Sequence, residues 1–241
     1  AFTPPSPPAG GGLWSHELNQ PGCYRDVKDT TVTAQFLIKD PKAEWTKHGK
    51  PYFIAWTTTP WTLPSNVALC VGPKIDYVAV ETYNLYDGQL VTLIMAESRV
   101  SAYLNPEQEV KEGELGAFDK ENKKCPWRII DRLKGSDLEG LHYGQLMPWV
   151  KPCEKVDDFS PAFVKDYAEA HTDTSEDGRD TFVEMDSEAF RVILGDYVTT
   201  EDGTGIVHIA PTFGADDAKV AKDANIPALY LINQQGETRP M

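Results

Sequence analysis

The residue types that invite chemistry gather in two short runs. One is Gly203-Thr204-Gly205-Ile206-Val207-His208-Ile209-Ala210-Pro211, continued by Gly214 and the acids Asp216 and Asp217. Here a histidine stands in mid-strand among apolar neighbours, a placement that suits a pocket wall, and two carboxylates fall in the first turn of a helix, where the macrodipole favours negative charge. The other run is Thr57-Thr58-Thr59-Pro60-Trp61-Thr62-Leu63-Pro64-Ser65-Asn66, in which hydroxyls, an indole and an amide are framed by two prolines. A rigid polar wall of that kind positions a small substrate or a water molecule. Metal binding fits less well, because His208 has no second histidine at ligand spacing and adjacent carboxylates on a helix project to different sides. Each run also has a plain structural reading: a strand-to-helix corner with an interior histidine and a capping acid, and a β-branched strand end with a tryptophan anchor. The two together point to a site.

The elements that must hold these residues are mostly strands. Asp202-Gly203 and Gly205 tolerate positive φ and deliver the chain through a tight turn into a strand over 206–210, which Pro211 ends by withholding an N–H. Residues 215–222 follow as a helix. Upstream, β-branched and aromatic runs predict strands over 30–38, 52–56, 67–71, 77–82 and 90–95, with Asp87-Gly88 turning a hairpin. Pro60 and Pro64 argue against helix between the second and third of these and predict an irregular loop. Residues 41–50 read as a polar connection and 96–103 as a short helix. Strand character returns over 127–133, 140–150, 182–184 and 190–194, with a last apolar run at 229–232. The acidic stretch 157–180 reads as an exposed insertion with a short helix near 162–170. The Pro- and Gly-rich residues 1–12 cannot build helix or central strand and predict an extended lead-in.

Composition bounds the function. A chain of 241 residues that is 41% hydrophobic and 10% aromatic can bury a real core. Its net charge of −14 argues against a self-sufficient nucleic-acid binder, since phosphate contacts need clustered Lys and Arg. The four cysteines, Cys23, Cys70, Cys125 and Cys153, form no Cys-x-x-Cys pair, which fits a reduced, cytoplasmic protein without structural zinc. Neither a secretion leader nor a bilayer-length apolar run is expected.

Taken together, the Trp56-to-Asn66 and Gly203-to-Pro211 runs with Gly214, Asp216 and Asp217 resemble the editing domain of the isoleucyl-tRNA synthetases. Thr59 and Trp61 set the pattern apart from the related valyl and leucyl domains. The resemblance runs from about residue 24 to 232, more loosely over 105–180, and implies a lead-in at 1–23, an editing domain at 24–232 with a variable insertion at 105–180, and a connection back to the synthetase core at 233–241. It implies a β-rich α+β fold with short helices and a barrel-like β core. The signatures of the ATP-dependent aminoacylation site are absent from this chain, so ATP and Mg are expected to belong to the parent enzyme alone.

The activity implied is aminoacyl-tRNA deacylation: removal of valine from the 3′ end of mischarged tRNA(Ile), and of valyl-adenylate besides, without cofactor or metal. By the same resemblance Asp217 holds the substrate ammonium and His208 limits the side-chain pocket. Thr57, Thr58 and Thr59, with Trp61 and Asn66, surround the terminal adenosine and the ester, and Thr58 and Thr59 orient water. The implied partners are the charged tRNA end and the rest of the synthetase, with a monomeric chain and no membrane. Two rival classes use the same wall: a stand-alone aminoacyl-ester hydrolase indifferent to tRNA, and a module that binds an amino acid without turnover.

Overall fold

The computed structural model describes residues 30–122, 124–150, 152–155, 172–174, 181–184 and 189–231. By its internal packing the chain divides into Ala1–Thr30 and Thr31–Met241, and every described element lies in the second unit. The first elements are β1 (Val32–Leu37), a one-turn helix α1 (Ala43–Thr46), β2 (Lys50–Thr57), a 3₁₀ helix at Pro60–Ser65 and β3 (Ala68–Val71). Next come β4 (Asp76–Tyr83), β5 (Leu90–Ala96), α2 (Val100–Tyr103) and β6 (Arg128–Lys134). Three short strands, β7 (Cys153–Lys155), β8 (Thr172–Thr174) and β9 (Thr181–Glu184), precede β10 (Arg191–Leu194), β11 (Ile206–Ile209) and α3 (Ala215–Asp223).

The strands form a five-stranded sheet in the order β1-β2-β5-β4-β6 and two three-stranded sheets, β10-β3-β11 and β7-β9-β8. The five-stranded sheet is covered on both faces, which is why β4 and β5 read as unbroken apolar runs rather than alternating ones. Phe53, Tyr77, Ala79 and Ile94 face a core shared with Leu69, Val71, Val192 and Ile206 of the small sheet. Ile54, Val78, Val80, Leu93 and Met95 face the other way and pack with Val100 and Trp127. The β-rich α+β class expected from the sequence is the one adopted. Its core does not close into a barrel, because β1 and β6 stand at opposite ends of their sheet. Central strands that are apolar on both faces call for a layer on each side, whereas a barrel offers a single interior.

Several local expectations change. The prolines permit a 3₁₀ helix: Pro60 opens it where no N–H is needed, and its bonds run from Thr62 N to Thr59 O and from Asn66 N to Leu63 O, so Pro64 breaks neither. The polar connection at 41–50 contains α1, whose Trp45 is fully buried and donates its indole N–H to Asp131 Oδ2 at 2.9 Å. Residues 140–150 make isolated bridges at His142 and Tyr143 and no strand, since Gly140, Gly144 and Pro148 interrupt the run. The run from Leu229 to Leu231 is likewise in no strand, although Leu229 is fully buried. The strand expected at 182–184 is β9, and it pairs with β7 and with β8, the latter inside the stretch read as an exposed insertion. The expected helix near 162–170, the lead-in at 1–23 and the connection at 233–241 lie outside the described residues.

The turn that feeds β11 is tied down from several sides. Gly203 and Gly205 take φ of 66° and 75°, as the sequence predicts. Arg99 donates from Nε to Gly203 O at 2.7 Å and from Nη1 to Glu201 O at 3.0 Å. Thr204 Oγ1 donates to Ile54 O, Tyr77 OH donates to Gly205 O, and Ala96 N donates to Thr204 O. These bonds pin the entry to β11 against β2 and β5. A Cβ at Gly205 would lie 2.5 Å from Ala96 Cβ, on a backbone already in the left-handed region. Gly205→Ala is therefore expected to cost about 2–4 kcal/mol through left-handed strain and overpacking, read as a lowered urea midpoint. A midpoint equal to that of the parent would show that this turn gives way easily.

Candidate active site

The site is assembled at one end of the β10-β3-β11 sheet. Central β3 pairs antiparallel with β11, setting His208 opposite Leu69 and Ile209 opposite Ala68. Val67 N donates to Ile209 O and extends the pairing by one step. The 3₁₀ helix therefore enters β3 at the same end at which β11 leaves through Ala210 towards α3. Residues 146 positions apart meet there: His208 Nε2 lies 3.2 Å from Thr62 Oγ1.

The threonines are linked to one another before they meet any ligand. Thr57 is buried, and its hydroxyl accepts from Thr59 N at 3.0 Å and lies 3.2 Å from Thr59 Oγ1. Thr62 donates its hydroxyl proton to Thr59 O at 2.8 Å, and its oxygen lies 3.4 Å from Thr59 Oγ1. Thr59 is half-buried at the centre of this set, whereas Thr58 is exposed beside it. Trp61 is 58% exposed, so its indole serves as an outward face and not as the core anchor of the structural reading.

Asn66 departs from expectation. Only 2% exposed, it donates from Nδ2 to Ala68 O at 2.8 Å and accepts from Tyr143 OH at 2.7 Å on Oδ1. Its amide is turned into the core and locks the end of the 3₁₀ helix to the body of the fold. It does not line the site. The reason is tertiary: Asn66 takes an extended backbone between a helical turn and a strand, and its polar side chain, once buried there, is satisfied by Tyr143 from across the fold.

Asp217 reaches the site from the first turn of α3, where its Oδ2 accepts from Ala210 N at 2.9 Å. That bond fastens the helix start to the end of β11 and leaves Oδ1 for a ligand. Asp216 is exposed, whereas Asp217 is half-buried, as the angular step between neighbours on a helix requires. Tyr197, whose chemistry the sequence does not mark, stands close by. It is 48% exposed, and the burial of the rest of the ring, the adjacent Cys70 thiol and the nearby Asp217 carboxylate push its phenol up. Thr62 is the other residue the sequence under-weighs. The available signal is its three-residue spacing from Thr59, which suits a hydroxyl bonding back onto a 3₁₀ turn.

His208 is 9% exposed, and its Nδ1 is buried without a hydrogen-bond partner. Burial lowers its basicity below the ordinary histidine value of 6.5, with the Asp217 carboxylate opposing the shift. The ring is thus neutral at neutral pH. A histidine held neutral by folding contributes its full stability above the unfolded value, and that contribution is lost as pH falls from there through the folded value. Acidification from pH 7.5 to 5.5 is accordingly expected to destabilise the parent more than His208→Gln, by urea unfolding. A parent that gains on the variant over that interval would contradict a neutral buried ring.

Among the described residues no group of three His, Cys, Asp or Glu side chains is placed to hold a metal ion. A cavity of about 350 Å³, lined by Leu104, Phe118 and Cys125 among others, includes none of the site residues.

No protein-family model matches the chain. Among curated proteins it is 55% identical over 238 residues to the isoleucine–tRNA ligase of Bacteroides thetaiotaomicron, covering 99% of this chain and 18% of that protein. It is 56% identical to the corresponding protein of Bacteroides fragilis and 50% identical to that of Porphyromonas gingivalis, with the same coverage. The chain thus spans less than a fifth of the length of these relatives. Among solved structures it is similar to the editing domain of the P. knowlesi cytosolic leucyl-tRNA synthetase, at 12% identity and a TM-score of 0.49 over 81% of this chain and 62% of that one. With half or more of its residues shared along nearly its whole length, the chain belongs to the isoleucine–tRNA ligase family, as one segment of such a protein.

Proposed function

We propose that this chain is the editing domain of an isoleucyl-tRNA synthetase and that it hydrolyses valine from mischarged Val-tRNA(Ile), and valyl-adenylate besides, without metal or cofactor. The observation that carries this reading is the meeting of the threonine-rich 3₁₀ helix, His208 and Asp217 at one sheet end, in a chain so closely related to isoleucine–tRNA ligases. Isoleucine and valine differ by one methylene, worth about 1–3 kcal/mol in a binding pocket, a figure for which the isoleucyl enzymes are themselves the standard case. A second, smaller site that destroys the wrong product meets that need.

The roles follow from the chemistry at each position. Asp217 Oδ1 accepts from the substrate's α-ammonium, a charge-assisted bond that also rejects molecules without a free amine. The neutral ring of His208 bounds the side-chain pocket and excludes the longer isoleucine. Trp61 offers a flat face to the terminal adenine, while Thr58 and Thr59 orient the water. Water adds to the ester carbonyl, the bond to the ribose oxygen breaks, and the proton of the water passes to that oxygen. An aminoacyl ester is activated, so a positioned water and hydrogen-bond donors suffice without a covalent intermediate. Thr57 contributes by holding Thr59, and Asn66 by holding the turn. In this reading the chain works as a monomeric domain in a cytoplasmic synthetase, whose remaining parts bind most of the tRNA, consistent with its own charge of −14.

The test is incubation of the protein with Val-tRNA(Ile), Ile-tRNA(Ile) and a simple valyl ester. Rapid loss of valine from the first alone supports editing. Equal hydrolysis of the free ester would favour a tRNA-indifferent esterase, and binding without turnover would sink the enzymatic reading.

A further inference from the structure

We infer that Thr62 is a positioning residue, whose hydroxyl holds the His208 ring in a single orientation and in the tautomer that carries its proton on Nε2. The Thr62 hydroxyl faces the backbone carbonyl oxygen of Thr59. A carbonyl oxygen can only accept, and Thr62 Oγ1 lies 2.8 Å from it. The single proton of the Thr62 hydroxyl is committed there, so the lone pairs of that oxygen are what His208 meets at 3.2 Å. For that contact to be a hydrogen bond, Nε2 must donate. Nδ1 is then a bare lone pair, and it is the nitrogen that lies buried without a partner. A buried unpaired acceptor costs less than a buried unpaired N–H, so the two observations select the same tautomer independently.

The consequence for the site rests on the editing reading given above. A wall that discriminates one methylene must not turn or shift, and an imidazole is free to rotate about its outer torsion unless one nitrogen is tethered. Thr62 supplies that tether, and the 3₁₀ helix supplies Thr62: the bond from Thr62 N to Thr59 O fixes the backbone from which the hydroxyl projects. The same turn that carries Thr58 and Thr59 thus sets the width of the pocket formed by a strand 146 residues away.

The experiment compares the parent with Thr62→Val, which keeps the shape and removes the hydroxyl, and Thr62→Ser, which keeps the hydroxyl. Long-range proton–nitrogen spectra of ¹⁵N-histidine-labelled protein near neutral pH, with His208 identified by its loss in His208→Gln, read the tautomer with no substrate present. The parent and Thr62→Ser are expected to show a protonated Nε2 and a bare Nδ1, and Thr62→Val a mixed or reversed pattern. In deacylation, Thr62→Val should raise hydrolysis of Ile-tRNA(Ile) relative to Val-tRNA(Ile) at least tenfold, with Thr62→Ser within about twofold of the parent. A parent ring protonated on Nδ1, or a Thr62→Val spectrum identical to that of the parent, overturns the tether. A changed spectrum with an unchanged substrate ratio overturns its part in selectivity. Were the parent inactive on both charged tRNAs, the editing reading would fail, and the spectra alone would still decide whether Thr62 orients the ring.

Discussion

Asp217→Ala is expected to lower deacylation of Val-tRNA(Ile) by about tenfold to a hundredfold, and by a similar factor for every substrate that carries a free amine. A carboxylate gripping an ammonium in a partly dry site contributes a charge-assisted hydrogen bond on the order of 1.5–3 kcal/mol, and 1.4 kcal/mol is a factor of ten in rate. The variant also loses the bond from Ala210 N to Asp217 Oδ2, which ties α3 to β11. Asp217→Asn separates the two effects, because its amide oxygen still accepts from Ala210 N while the negative charge is gone. Both variants should be slow, but only the alanine form should lose stability in urea. Asp216→Ala, an exposed position one residue away, serves as the control and should retain most activity. Full activity in Asp217→Asn would show that the carboxylate fastens the helix and grips nothing.

His208→Ala should change what is hydrolysed more than how fast. Removing the ring from a residue that is 9% exposed opens space beside Thr62, and the extra methylene of isoleucine should enter it. The variant is therefore expected to deacylate correctly charged Ile-tRNA(Ile) at a rate approaching that for Val-tRNA(Ile). The parent's discrimination would then shrink by the 10- to 200-fold that one methylene is worth in a pocket. The measurement is the pair of initial rates on the two charged tRNAs, in the parent and in the variant. Should the ratio survive the loss of the ring, the pocket is bounded by some other group and His208 is a structural residue. Asp217→Ala and His208→Ala together separate grip from sieve, since one should depress both substrates and the other should admit the larger alongside the smaller.

The sequence by itself determined the local pieces. Positive-φ glycines at 203 and 205, the strand at 206–210 and the acids opening a helix at 216 and 217 are legible because turn chemistry, alternation and the helix dipole act over a few residues. They reappear at Gly203, Gly205, β11 and α3. The strands of the larger sheet were legible for the same reason. Where the reading went astray, the deciding force was long-range. Trp45 in a segment that looked polar is buried because β6 supplies Asp131 as its partner; at 140–150 the local breaks at Gly140, Gly144 and Pro148 add to this, leaving Leu141 and Tyr143 to pack on the core with only isolated bridges.

The tertiary structure decided which polar residues face a ligand and which face the protein. Thr57, Thr58, Thr59, Thr62 and Asn66 are equally polar on paper. Only packing of the 3₁₀ helix against β11 and Tyr143 leaves Thr58 exposed, places Thr62 on His208 and turns Asn66 inward. The physical reason is that a side chain's direction at a strand–turn junction is set by the partners waiting across the fold, here 77 residues away for Asn66 and 146 for Thr62. Composition and local propensity carry no record of such pairings, because a hydroxyl or an amide pays the same local cost in either direction and the difference lies wholly in the contacts that folding brings to it.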